Sequence, residues 1–284
     1  MMEKFDAQEL KKLYKPKDDS HKGENGKLML VGGSRLFHAA SLWALTIASK
    51  IVDMVFYSSV PENNQIVENA KSEFRNGIVV PRGRIDDYVK EADVVLIGPG
   101  LPRAEGKEEG DDDTRELTEE LFKKYPNKKW VIDGGSLQVI APEMLPKNCI
   151  ITPHQGEFEL LKSKIRNQKS KKIIENLKLE EQVEMFAKEY GVIVLLKGQE
   201  DFVCSSEKCV RIPGGNAGMT KGGTGDVLAG LVAALACKND MFLAATAGSY
   251  INKKAGESLF EKVGYNFNAS DLVDEIPTVM HNLT

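Results

Sequence analysis

The sequence contains few cysteines, has no long apolar run and carries almost balanced charge. Only four of its 284 residues are cysteine, and none lies in a CxxC pair, which disfavours a structural zinc site. The longest apolar segment, Leu228–Cys237, is ten residues with one glycine, far below the roughly 20 that cross a bilayer. With 38 basic and 42 acidic side chains, the net charge of −4 gives no reason to expect nucleic acid or a membrane as partner.

The chain shows no targeting signal. Residues 1–20 are charged throughout and lack the apolar stretch of a signal peptide, so we expect a cytoplasmic protein. Because reducing compartments disfavour disulfides, we expect Cys149, Cys204, Cys209 and Cys237 to be free thiols. The alternative concerns Cys204 and Cys209, which would face each other if the intervening residues form a hairpin.

Short apolar runs alternate with helical patterns along most of the chain. Several runs are continuously apolar, which is typical of parallel strands covered on both faces. The predicted strands are Lys27–Val31, Met54–Ser59, Asp93–Ile97, Lys129–Ile132, Asn148–Thr152, Val192–Leu196, Asp201–Ser205 and Cys209–Ile212. The predicted helices are Ala39–Val52, Thr114–Lys124, Leu179–Tyr190, Asp226–Ala236 and Met241–Phe260. This alternation indicates a doubly wound α/β fold.

The domain organisation follows from the same pattern. The chain has no evident linker and no repeat, so we expect residues 1–284 to form one domain, with residues 1–20 as an N-terminal extension. Two charged runs interrupt the alternation, Ala104–Glu116 and Lys162–Lys172. We expect both to be solvated loops, and the alternative is a lid or a partner surface.

Three glycine clusters follow predicted strands, at Gly32–Ser34, Gly98–Gly100 and Gly214–Gly230. Turns at the carboxyl ends of parallel strands are where α/β proteins bind ligands. The common nucleotide motifs are nevertheless absent. Lys221 is followed by glycine rather than serine or threonine, which excludes a P-loop, and the Gly98 turn lacks the third glycine of a dinucleotide fingerprint.

The segment Gly222–Asp226 combines an anion site with a carboxylate. Its glycines let consecutive backbone N–H groups turn toward one point, and the following helix adds its positive N-terminus. Asp226 is a candidate helix cap. The alternative is that it takes a proton from a hydroxyl while the amides hold the charge of a transferring phosphoryl group.

Two further candidates lie just beyond apolar strands. His154 stands in a turn rich in proline and glycine, so we expect it at the carboxyl edge of the sheet, either contacting a ligand or shaping the turn. Lys197 and Gly198 close another strand. The Lys197 ammonium is a candidate contact for a nucleotide phosphate, or Gly198 simply admits a close backbone approach.

Taken in order, these motifs resemble the NAD(P)HX dehydratase family. The matching segments are His21–Gly23, Val31–Ser34, Ile97–Leu101, Thr152–His154, Gly156–Glu157, Leu196–Gly198, Gly222–Leu228 and the tail Ala269–Leu272 with Ile276–Pro277. The resemblance covers nearly the whole chain. It implies a ribokinase-like α/β/α fold with a mostly parallel central sheet.

The resemblance also implies a function. The family uses ADP or ATP with a divalent cation, Mg²⁺ by default, to dehydrate (S)-NADHX and (S)-NADPHX to NADH and NADPH. A phosphoryl group moves to the C6 hydroxyl, and phosphate leaves as the ring double bond re-forms. Asp226 would be the base, and the amides of Gly223, Thr224 and Gly225 would steady the phosphoryl charge.

The remaining site residues are also carried over by resemblance. The nicotinamide nucleotide would contact Ala40, Gly98, Gly100, Pro102, His154 and Asp226. The adenine nucleotide would contact Lys197, Gly198, Gln199, Glu200, Asp201 and Gly225. The family often carries a fused epimerase, for which residues 1–284 have no room, so we expect the epimerase to be a separate protein. A homo-oligomer is possible by resemblance.

The chain departs from the family's usual pattern at several positions. The departures are Pro102, Gly134, Gly135, Gln155, Ala217 and Asn252. We expect them to lie mainly on the substrate side, because the Gly222–Asp226 segment is intact. Two alternatives therefore stay open at this point, a ribokinase-like kinase for a vitamin-type alcohol and a nucleotide-binding homologue without catalysis. The residues do not distinguish ADP from ATP, or NADHX from NADPHX.

Overall fold

In the part of the chain that the structure describes, ten strands form one sheet in the middle of the protein. The computed structural model describes residues 2–103, 107–147 and 149–284. The strands are β1 (Glu3–Lys4), β2 (Lys27–Val31), β3 (Met54–Ser58), β4 (Ile78–Val79), β5 (Val94–Ile97), β6 (Lys129–Ile132), β7 (Ile150–Ile151), β8 (Ile193–Leu196), β9 (Glu200–Cys204) and β10 (Cys209–Pro213). Their order is β1-β10-β9-β8-β7-β6-β5-β2-β3-β4. Neighbours are parallel except at β9, which is antiparallel to β8 and β10.

Helices cover both faces of this sheet. They are α1 (His38–Ser49), α2 (Pro61–Asn69), α3 (Ile85–Glu91), α4 (Thr114–Lys124), α5 (Gly134–Val139), α6 (Gln155–Ser163), α7 (Gln168–Glu175), α8 (Leu179–Tyr190), α9 (Thr224–Lys238), α10 (Met241–Val263) and α11 (Ala269–Leu283). Alternation along β2 shows the two layers. Leu28 and Leu30 pack with α1, α9, α10 and α11, whereas Met29 and Val31 pack with α3 to α8. The predicted α/β/α layering with a mostly parallel sheet is confirmed.

The helix α9 lies between the sheet and neighbouring helices. Its residues from Val227 to Cys237 are all buried, as expected of a helix that is apolar on nearly all sides. Close packing against α1 depends on Gly230. A Cβ at this position would lie 2.6 Å from the carbonyl oxygen of Ala44, so α1 and α9 can approach this closely only because the side chain is absent.

We expect Gly230→Ala to lower the free energy of unfolding by about 1–3 kcal/mol, since the added methyl group overpacks this contact. The measurement is chemical denaturation of the two proteins under identical conditions. Gly83→Ala is the matched control, because a Cβ there meets nothing within 4 Å. Equal midpoints for Gly230→Ala and wild type would show that α1 moves away at little cost.

Most predicted elements are present, with end shifts of a few residues. The helices Thr114–Lys124 and Leu179–Tyr190 have the predicted bounds. The solvated-loop prediction for Lys162–Lys172 is wrong, because this segment ends α6 and contains the first half of α7. In the other charged run, residues 104–106 lie outside the described residues, and its last part begins α4.

Two cysteines differ from expectation. Cys204 and Cys209 are paired directly across the β9–β10 hairpin and joined by a disulfide, so the free-thiol prediction is wrong for this pair. Cys149 and Cys237 are free, as expected, and both are buried. None of the helices in the described part of the chain combines the length and apolar character needed to span a bilayer.

Candidate functional site

The predicted site residues gather where the parallel strands end. The loops after β2, β5, β6, β7 and β8 all leave the same edge of the sheet, as the carboxyl ends of parallel strands must. The end of β10 and the start of β9 reach this edge as well, because the two strands run in opposite directions. This edge holds a cavity of about 690 Å³, a volume within the usual range for small-molecule sites.

The cavity is built from five parts of the chain. Its lining residues are His154, Lys197–Gln199, Asp201, Gly214–Ala217, Met219, Thr220, Thr224, Gly225, Leu228, Asn252 and Lys253. It therefore joins the loops after β7 and β8, the segment after β10, the first turns of α9 and the middle of α10. Seven of the predicted site residues line this cavity: His154, Lys197, Gly198, Gln199, Asp201, Thr224 and Gly225.

The N-terminus of α9 opens toward this cavity. Its cap is Gly223, in the left-handed region with φ of 94°, and no side chain of the described residues caps it. The Thr224 hydroxyl donates to the carbonyls of Met219 (2.7 Å) and Lys221 (2.9 Å), which fixes the turn. The first amides and the positive end of the helix are thus left for an anion.

Asp226 is not the cap of α9. It is the third residue of the helix, which corrects the helix-cap alternative. Its half-buried carboxyl group has a pKa raised to about 7. The largest cause is burial, which disfavours the charged form, and the negative charge of Asp133 adds to it, while the Lys197 ammonium lowers the value. A carboxyl group poised near neutral pH suits a general base.

The charges of an ion pair between Lys197 and Asp133 act on the pKa of the Asp226 carboxyl group. The Lys197 Nζ donates to Asp133 Oδ1 (2.9 Å), which also accepts from the Thr152 hydroxyl (2.7 Å). Burial, the largest single effect, lowers the pKa of Lys197, but the charges of Asp133 and Glu157 together raise it by more. The pKa of Lys197 is therefore raised. Lys197 Nζ lies 3.4 Å from where a Cβ on Gly225 would be. A permanent cation therefore lies against the first turn of α9.

Asp201 is held in the wall of the cavity. Its Oδ1 accepts from Gly198 N (2.9 Å) and lies 3.1 Å from Lys253 Nζ, and its Oδ2 accepts from the Ser249 hydroxyl (2.7 Å). The same ammonium donates to the carbonyl oxygens of Gly198 (3.0 Å), Gln199 (3.1 Å) and Gly214 (3.2 Å). The buried Lys253 thus ties the loop after β8 to the end of β10.

The substrate-side residues form a second group around the Gly98 turn. Gly98 and Gly100 have φ of 118° and 73°, and a Cβ on Gly100 would lie 3.2 Å from that of Ala40. A Cβ on Gly98 would lie 1.8 Å from the Asp133 carbonyl oxygen. The turn therefore packs directly on Asp133, which joins this group to Lys197. Pro102 is buried, and its carbonyl accepts from Thr114.

The position of His154 allows both of the roles considered for it, shaping the turn and contacting a ligand. It is the N-cap of α6, where its Nδ1 accepts from Glu157 N at 3.1 Å. Its side chain is nevertheless 57% exposed and lines the cavity. Glu200 is the predicted residue that stands apart, because its carboxylate pairs with Arg211 at 2.8 Å. Gln155, a departure from the family pattern, is the first residue of α6.

Sequence reasoning did not select three residues that the structure places at the site. Asp133 ends the loop after β6, and the signal that could have found it is its place directly behind an apolar strand. Asn252 and Lys253 lie on α10. The sequence marks Asn252 only as a departure from the family's usual pattern, and nothing in it marks Lys253. Asn252 and Ala217, two of the departures, line the same cavity as Lys197 and Gly198, and the expectation that the departures lie mainly on the substrate side stays a prediction.

Solved structures place the fold in a known class. A ribokinase-like superfamily protein from Enterococcus faecalis superposes with a TM-score of 0.84 at 22% identity, covering 100% of this chain and 96% of the other. The protein therefore has a ribokinase-like fold, as the resemblance implies.

The sequence comparisons then give the family. The family model described as NAD(P)H-hydrate dehydratase matches residues 28–278. An ADP-dependent (S)-NAD(P)H-hydrate dehydratase from Nitrosopumilus maritimus is 35% identical over 93% of this chain and 91% of its own length. A bifunctional NAD(P)H-hydrate repair enzyme from Methanocaldococcus jannaschii is 35% identical over 96% of this chain, which spans 51% of that enzyme. The chain belongs to the NAD(P)H-hydrate dehydratase family.

Proposed function

We propose that this protein is an ADP- or ATP-dependent dehydratase that returns (S)-NADHX and (S)-NADPHX to NADH and NADPH. The observation that carries the proposal is the position of Asp226. A carboxyl group with a pKa near 7 lies on the first turn of an uncapped helix, beside Lys197. A base on the first turn of α9, the free amides of that turn and a cation against it are the groups that phosphoryl transfer to a hydroxyl needs.

In the proposed reaction, Asp226 accepts the proton of the C6 hydroxyl as the hydroxyl oxygen attacks the terminal phosphorus of the nucleotide. The amides of Gly223, Thr224 and Gly225, with the Lys197 ammonium, hold the charge of the transferring group. The phosphorylated C6 oxygen then leaves as inorganic phosphate while the ring double bond re-forms with loss of a proton. One nucleotide terminal phosphate is released for each dihydronicotinamide recovered.

The two groups of residues described above divide the ligands between them. The adenine nucleotide would contact Lys197, Gly198, Gln199, Asp201 and Gly225, with Glu200 contributing its backbone. The hydrated nicotinamide nucleotide would contact Ala40, Gly98, Gly100, Pro102 and His154. Asp133 is a positioning residue between them, because its side chain binds Lys197 and its backbone supports the Gly98 turn.

A divalent cation would be bound mainly through the nucleotide. The described residues contain no group of three or more His, Cys, Asp and Glu side chains able to hold a metal. This fits Mg²⁺, which keeps several waters and is usually bound by phosphate oxygens with one or two carboxylates rather than by a protein cage. When bound it would neutralise phosphate charge, and Asp226 is the acidic residue on the first turn of α9.

The test is an absorbance assay with purified protein, enzymatically prepared NADHX, Mg²⁺ and either ADP or ATP in parallel cuvettes. We expect the absorbance of reduced nicotinamide to rise with at least one nucleotide and to stay flat without nucleotide. A flat trace with both nucleotides would contradict the proposal. In that case a stable phosphorylated product from another alcohol would favour a kinase.

The pH dependence of the reaction should report Asp226. The base must be deprotonated, and its pKa is raised to about 7 by burial and by the charge of Asp133. We therefore expect kcat/KM at limiting NADHX to fall as the pH drops through about 7, approaching tenfold per pH unit below it. The measurement is a pH profile at saturating nucleotide. A constant kcat/KM between about pH 6 and 8 would exclude a base with this pKa.

A further inference from the structure

The N-terminal turn of α9 is packed against an aromatic side chain from α1. Gly223, the N-cap, has φ of 94°, and no side chain of the described residues caps it. A Cβ on Gly223 would lie 2.2 Å from Cζ3 and 2.4 Å from Cε3 of Trp43, and 2.8 Å from the Cβ of Ala269. The glycine therefore lets the indole ring of Trp43 pack directly on the backbone. The ring is a second restraint on this turn, after the hydrogen bonds of the Thr224 hydroxyl.

Trp43 is itself held by the helices around it. Its indole Nε1 donates to the Ser270 hydroxyl at 3.0 Å, and Ser270 lies on the first turn of α11. The rest of the ring is partly buried against the core that α1, α9 and α11 share. On α1, Trp43 lies three residues beyond Ala40 and so on the same side of the helix. The helix α1 thus carries both a proposed substrate contact and the ring that packs on the α9 cap.

The amides at the start of α9 are useful to the reaction only if their direction is fixed in advance. Hydrogen-bond donors stabilise a transferring group because they already point at it, and a shift of about 1 Å can cost a hundredfold in rate. Gly223 is where such a shift is easiest, since glycine has the most backbone freedom. We infer that Trp43 is a positioning residue that keeps the amides of Gly223–Gly225 aimed at the terminal phosphate. This inference rests on the proposed function, which brings a phosphoryl group to α9.

The first experiment measures kcat for NADHX dehydration and the Kd of ADP and ATP with Mg²⁺ in wild type, Trp43→Leu and Trp43→Phe. We expect kcat of Trp43→Leu to fall about tenfold to a hundredfold, because the α9 amides lose their fixed direction. The Kd values should stay close to those of wild type, because most of the proposed nucleotide contacts come from Lys197–Asp201. Trp43→Phe keeps an aromatic ring against Gly223 and should recover most of the lost kcat.

Two controls separate positioning from a general loss of stability. A purely structural role would lower the melting temperature of Trp43→Leu and leave kcat of the folded protein unchanged. Both kcat and Kd are therefore measured well below the melting temperature of every variant. Phe260→Leu makes a similar aromatic-to-leucine change at an exposed position of α10 and should leave kcat unchanged.

The second experiment uses the fluorescence of Trp43 and needs no turnover. The chain has two tryptophans, and the other one, Trp130 on β6, is fully buried. Binding of ADP or ATP with Mg²⁺ brings phosphate charge to the turn on which the Trp43 indole packs. We therefore expect nucleotide to change the tryptophan emission of wild type and to leave that of Trp43→Phe unchanged.

The outcomes distinguish this inference from the function on which it rests. If wild type dehydrates NADHX and Trp43→Leu keeps its kcat, the inference is wrong and the function stands. If wild type binds nucleotide without dehydrating NADHX, the proposed function is wrong and the emission decides the inference. An emission change that persists in Trp43→Phe, or that wild type lacks, then overturns it. If wild type binds neither nucleotide, both are wrong.

Discussion

Asp226→Asn should lower kcat for NADHX dehydration by about a hundredfold to ten-thousandfold, the range that general-base catalysis contributes. The amide keeps the shape of the carboxyl group and cannot accept the proton of the C6 hydroxyl. Burial and the nearby charge of Asp133 already disfavour a negative charge here, so the neutral amide should be tolerated by the fold. The measurement is the absorbance assay at saturating ADP or ATP.

The control for Asp226→Asn is twofold. Nucleotide affinity should be kept or slightly improved, because a negative charge beside the phosphates has been removed. Asp274→Asn makes the same change on an exposed side chain of α11 and should leave kcat unchanged. A kcat for Asp226→Asn within a few-fold of wild type would exclude Asp226 as the base.

Lys253→Met should lower the free energy of unfolding by about 3–5 kcal/mol, the usual result of breaking a buried ion pair from one side. Lys253 and Asp201 are 7% and 6% exposed, so the substitution leaves the Asp201 carboxylate buried without its cation. Among the described residues, Gly198 N and the Ser249 hydroxyl are the groups that would still bind it. Urea denaturation measures the change, and ADP affinity should fall too because the Gly198–Gln199 loop is released.

The double variant Asp201→Asn with Lys253→Met tests whether the unpaired Asp201 carboxylate causes the loss of stability. It removes both members of the pair, so no carboxylate is left unpaired, and it should recover a large part of the lost stability. Lys254→Met is the matched control, since this lysine forms its ion pair with Glu257 near the surface. If Lys253→Met lowers the free energy of unfolding by less than about 1 kcal/mol, the value typical of an exposed pair, then Lys253 does not stabilise the fold through a buried ion pair.

The sequence was sufficient for features that depend on local pattern. The apolar run after Asp226 predicts a buried helix because every side of it lacks charge, and α9 is buried from Val227 to Cys237. The charged run at Lys162–Lys172 misled because its many lysines hide a short amphipathic helix, in which Ile174 is buried. The disulfide was missed because compartment alone does not decide pairing, whereas the hairpin register brings Cys204 and Cys209 opposite each other.

The site depends on contacts that no local pattern contains. Asp133 and Lys197 are 64 residues apart in the sequence. They meet because Asp133 follows β6 and Lys197 follows β8, and both strands are neighbours of β7 in the sheet. Without that strand order, one can derive neither the raised pKa of Asp226 nor the contacts by which Lys253 joins the loop after β8 to the end of β10.

The central claim is that phosphoryl transfer by Asp226 and the α9 N-terminus drives the dehydration. The most direct test measures recovered NADH, released inorganic phosphate and consumed ADP or ATP in the same reaction with NADHX and Mg²⁺. We predict one phosphate and one consumed nucleotide for each NADH, with all three lost together in Asp226→Asn. NADH recovered without nucleotide consumption, or a phosphorylated product that accumulates without NADH, would contradict it.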